Sequence, residues 1–131
     1  MLQFSPNLIA STDINPFRIC KASTTNFGGA PATAVTDYVV GVTDGSTRRF
    51  DATVHAASAT ADPISLQPSN CVQIEAGAAI ATAGVGLIPT TGGKAITVTS
   101  GNMPMFVSLE AAPNDGVIFW AYRLPATKTI A

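Results

Sequence analysis

The chain has 131 residues, 47% hydrophobic and 11% charged, with a formal net charge of −1. That length fits one compact domain able to fold without metal or disulfide staples, and the charge lacks the clustered Lys and Arg that phosphate contacts demand, which argues against a nucleic-acid partner. The charged fraction is less than half that of an ordinary soluble domain, and with a mean hydropathy of +0.32 such a surface calls for cover by copies of the chain or by a larger assembly.

Residues 1–15 carry scattered apolar positions (Leu2, Phe4, Leu8, Ile9, Ile14), a proline at Pro6 and no period of 2 or 3.6, which predicts an extended N-terminal arm ahead of a single β domain over 16–131. Ser5, Pro6, Asn7, Ser11 and Asp13 interrupt any signal-peptide pattern, and no apolar run reaches the roughly 18 residues of a membrane span. Synthesis in the cytoplasm and no membrane partner are the expectations. From Pro16 the chain reads as a strand, with Phe17, Ile19 and Lys21 on one face and Arg18 and Cys20 on the other. Residues 23–31, with Asn26, Gly28, Gly29 and Pro31, read as a loop. Phe27 inside that loop either folds back onto the core or projects as an anchor.

Residues 34–43 are rich in β-branched and aromatic side chains, and Asp44-Gly45 signals a tight turn into a second strand over 47–56, so the pair reads as a hairpin. Residues 56–61 read as a loop or a single helical turn. Ile64 and Leu66 alternate between prolines, and Val72 and Ile74 alternate with Gln73 and Glu75, which gives two short strands. Further strands are expected near Ile80, Leu87-Ile88, 96–98, 105–109 and 117–124, with turns at Gly84, Gly86, Gly92-Gly93, Gly101 and Asp115-Gly116. Regularly spaced short strands with turn punctuation predict a mainly β fold, a compact sandwich or barrel-like domain of antiparallel strands. The last strand is apolar on both faces, Val117, Phe119 and Ala121 against Ile118, Trp120 and Tyr122. Such a strand belongs in the middle of a structure or against a partner subunit.

The candidates for chemistry are sparse. His55 is the single histidine, so a metal site would need Cys20, Cys71 or several carboxylates from distant segments. A Cys71–His55 nucleophile pair lacks any neighbouring feature that would lower the thiol pKa, and both cysteines read as buried, reduced core residues. The eight acids fall mostly in or beside turns, where aspartates bond local backbone. The glycine runs lack the Gly-Lys-Ser/Thr of a phosphate loop, and 51–62 lacks calcium-loop spacing. The expectation is a non-enzymatic protein without cofactor or metal.

Segments 41–46, 55–56 leading to 63–68, 72–80, 91–94, 109–112 and 116–119, spread over residues 41–119, resemble in order and spacing the small capsid decoration, or cement, proteins of tailed bacteriophages. The resemblance implies binding to the outer surface of the expanded head as trimers, sometimes dimers, with neighbouring major capsid subunits clamped and nothing catalysed. Phe4, Leu8, Ile9 and Phe27 are the expected capsid or intersubunit contacts, being large apolar residues in segments that form no core of their own. The competing readings are another virion β module, such as a head fibre, tail or host-glycan-binding component, and a Cys71-dependent hydrolase.

Overall fold

The computed structural model describes residues 8–44 and 63–125. Among these, strands β1 (Leu8–Ala10), β2 (Ile19–Ala22), β3 (Gly28–Pro31), β4 (Val39–Val42) and β5 (Pro63–Ile64) form a sheet of order β4-β2-β3-β1-β5. Strands β6 (Cys71–Glu75), β7 (Gly86–Thr90), β8 (Lys94–Thr97), β9 (Phe106–Ser108) and β10 (Ile118–Arg123) form a second, of order β6-β10-β9-β7-β8. Neighbouring strands run antiparallel except β1 and β3, which are parallel. The fold is a mainly β sandwich whose sheets curl: a bridge from Thr43 to Leu66 draws the borders of the first together, and one from Ala76 to Ala95 those of the second.

Period-2 alternation assigns the core. In β10, Phe119 and Ala121 point inward; in β6, Val72 and Ile74 do, and with Leu87, Phe106 and Ile80 they meet Ile19, Ala32 and Val42 of the first sheet. Cys20, next to Ile19, points the other way, into a smaller cluster with Ala10, Ile14 and Ile64. The first sheet therefore buries both faces. A register shift between Cys20 and Lys21 pairs these residues with Gly41 and Val39. Val40 is the extra residue of this bulge, and it turns to the small cluster while Val39 and Val42 face the large one.

The structure differs from several expectations. The strand expected from Pro16 starts at Ile19, because Phe17 takes a left-handed φ of 59°. The loop over 23–31 ends in strand β3, since Gly29 is required inside the sheet: a Cβ there would sit 2.7 Å from Ile64 Cδ1 and 2.9 Å from Cys20 Sγ. Within the expected arm, Leu8–Ala10 form β1 between β3 and β5, and Ala10 and Ile14 are buried. The expected strand 47–56, with Arg48, Arg49 and His55, lies outside the described residues.

Candidate interaction surfaces

The first surface lies at one end of the first sheet. Its parallel register sets Ile9 beside Gly28, and the Ile9 N–H donates to the Phe27 carbonyl at 2.8 Å. Phe27 closes a tight turn in which the Gly28 N–H donates to Thr25 O and the Ser23 N–H to Gly28 O, both at 2.9 Å. The turn holds Phe27 at φ 55° with its side chain exposed, and Ile9 alternates outward from half-buried Leu8 and buried Ala10. Across β2, the Ala22 N–H donates to the Tyr38 carbonyl, and Tyr38 is 84% exposed. Ile9, Phe27 and Tyr38, far apart in sequence, thus share one sheet end, about three strand spacings or roughly 14 Å across. Leu8 packs against the small inner cluster. Phe4 lies outside the described residues.

Beside Tyr38 a groove of about 750 Å³ runs between the sheets, walled by Val35 and Val39 on one side and by Met103, Met105 and Leu124 on the other. Its charged groups are engaged. Arg123 Nη2 donates to Val39 O at 3.0 Å and Nη1 to Val40 O at 3.3 Å. Asp37 Oδ2 accepts the Thr33 and Ala34 N–H groups at 2.8 and 3.0 Å, and Oδ1 lies 3.6 Å from Lys21 Nζ. Among the described residues its walls are mostly apolar, and its charged side chains are held by partners within the chain.

The second surface is the outer face of the second sheet. Ile118, Trp120 and Tyr122 alternate outward along β10, opposite Glu75, Gln73 and Cys71 of β6. Leu109 joins them from the chain beyond β9, its N–H donating to Trp120 O at 2.9 Å. Glu110 Oε2 accepts the Trp120 N–H at 2.9 Å. The two-faced apolar run that the sequence shows is therefore a central strand with one face in the core and one in solvent. At its Ile118 end Arg18 reaches Glu75 Oε1 at 3.2 Å, and Lys94 reaches Glu75 Oε2 at 3.3 Å and Asp115 Oδ1 at 3.0 Å. Two cations and two carboxylates cancel there, and the hydrogen bond to Asp115, ahead of that to Glu75, raises the Lys94 pKa.

Cys71 corrects an expectation. It is exposed, because β6 places positions 71, 73 and 75 outward and Val72 and Ile74 inward. Cys20 is buried, and burial, only partly offset by the hydrogen bond from the Ala30 backbone, pushes its thiol up to about 11. Both are free thiols.

No protein-family model and no curated protein matches the chain. Among solved structures, the head fiber gp8.5 N base of bacteriophage phi29 superposes with a TM-score of 0.59 over 90% of this chain and 91% of that one, at 15% identity. The chain shares its fold with a phage head-fibre base. The likeness spans both sheets and is one of backbone architecture, so the rim of Ile9, Phe27 and Tyr38 and the face around Trp120 are read from this chain's own side chains. The sequence does not single out Tyr38 as a contact, and it places the last strand in the middle of a structure or against a partner subunit without choosing between its two faces. Alternation shows that a strand has two apolar faces but not which of them a second sheet covers.

Proposed function

We propose that this chain is a structural protein of a bacteriophage virion, seated on the outer surface of the head and working by contact without catalysis or cofactor. The observation that carries the reading is the fold shared with a head-fibre base over nine tenths of both chains. The low charge and the two exposed apolar surfaces support it, since a protein that lives in an assembly keeps apolar area for its neighbours. The finer reading, from the resemblance of segments 41–46, 63–68 and 72–80 to decoration proteins, is that it cements neighbouring major capsid subunits as a homo-oligomer, with the rim of Ile9, Phe27 and Tyr38 as the capsid contact. A packed shell gains from many modest cross-links acting together. The second reading, the base of a head fibre, is favoured by what the structural neighbour is.

Co-sedimentation of the purified protein with expanded heads that lack it tests the seat. Saturable binding at a fixed ratio to the major capsid protein is expected, and failure to bind overturns both readings. Thermal disruption of the loaded heads then separates them: cement raises the disruption temperature, whereas a fibre base binds and leaves it where it was.

A further inference from the structure

We propose that the outer face of the second sheet is where two copies of this chain meet, sheet against sheet, around Trp120. Strand β10 is hydrogen-bonded to β6 on one side and β9 on the other. The adjoining edge of β6 is occupied as well, because the Gln67 side chain accepts the Gln73 N–H and donates to Gln73 O, both at 2.8 Å. A partner here therefore cannot add a strand and has to pack against the side chains. The natural occupant of an apolar sheet face is another sheet, about 10 Å away. Each copy carries such a face, and a two-fold rotation lays it on itself as an isologous contact.

Size and charge agree with that occupant. Ile118, Trp120, Tyr122 and Leu109 are 39–47% exposed, together on the order of 350 Å² of apolar surface. That matches the largest patches monomers carry, and it would form the apolar core of an interface of roughly 800 Å² per partner, with Gln73, Glu110 and Val107 around it. A partner recognised by charge would need unspent charge to read. Here Arg18 and Lys94 already neutralise Glu75 and Asp115, and Glu110 is bonded to the Trp120 backbone. The cancelled cluster also sets up little repulsion between like copies.

The chain carries its own probes. Trp120 is its single tryptophan, and Cys71, the exposed thiol, sits opposite Tyr122 on the same face, while Cys20 is buried. Solution mass, tryptophan emission and maleimide labelling of the full chain are followed on serial dilution, without capsids, so the result is independent of the virion reading. A species of twice the 13.4 kDa chain mass is expected at high concentration, with blue-shifted emission and loss of Cys71 labelling, all three reversing together on dilution. Ile118→Lys and, separately, Leu109→Lys should give a monomer whose Cys71 labels freely, whereas Phe27→Ala should leave the dimer intact. A chain that stays monomeric, an oligomer in which Trp120 and Cys71 remain accessible, or protection of Cys71 that appears only when heads are added would each overturn the proposal.

Discussion

Phe27 is held exposed at a backbone cost. A left-handed φ costs a non-glycine residue about 1–2 kcal/mol, and at 59% exposure the ring recovers little of it within this chain, so the strain reads as maintained for a contact outside the chain. Phe27→Gly should leave the thermal midpoint unchanged or slightly raised, strain relief being offset by the added freedom of the unfolded chain, while head occupancy in co-sedimentation falls. A midpoint that drops by several degrees would mean that the ring serves the fold. Gly29 is the opposite case. Gly29→Val drives a side chain into Ile64 and Cys20, and overpacking of this kind should cost about 1–3 kcal/mol in chemical denaturation. Asp37 adds a pH signature. Burial raises its pKa, but the Thr33 and Ala34 N–H groups and Lys21 outweigh that and leave it below the ordinary value for an aspartate. A depressed folded-state pKa contributes stability that is present above the unfolded value and is lost as pH falls through the folded one. Asp37→Asn should therefore be less stable than the wild type at neutral pH, and the two denaturation curves should converge in acid.

At the scale of elements, the second sheet was legible because its strands are punctuated by turns: Val72 and Ile74, Leu87-Ile88 and, of the expected 117–124, residues 118–123 fall in strands. The first sheet was harder to read. Strand β3 is Gly28–Pro31, and glycines that signal a loop locally are there because Ile64 and Cys20 fill the space a side chain would take. Strand β1 has three residues, too few for a period, and its pairing with β3 and β5 is purely tertiary. The approach of Phe27 to Ile9 was hidden for the same reason, since it follows from a parallel register that spacing does not encode. Arg123 shows what joins the elements across the sandwich: from the end of β10 its guanidinium grips two carbonyls of β4. Arg123→Met keeps most of the apolar stem and removes both charge-assisted bonds, so a loss of about 2 kcal/mol is expected. An unchanged denaturation midpoint would mean that solvent satisfies those carbonyls equally well.

For the whole molecule, the two surfaces lie on different sheets, so the proposed head contact at the rim of Ile9, Phe27 and Tyr38 and the proposed pairing of copies at the face around Trp120 do not compete for the same side chains. That arrangement has a measurable consequence. When paired copies occupy adjacent seats, the second attachment is intramolecular, and the apparent affinity exceeds that of one copy by about 10²-fold or more provided the geometry lets both engage. Ile118→Lys, which leaves the rim untouched, should then weaken head binding by about that factor without changing the ratio reached at saturation. Ile9→Asp combined with Phe27→Ala, which leaves the Trp120 face untouched, should abolish binding while the free protein still pairs. The two defects differ in kind: the first is overcome by raising the protein concentration, and the second is not. If Ile118→Lys bound heads as tightly as the wild type, each copy would be seated independently, and the Trp120 face would have no part in attachment.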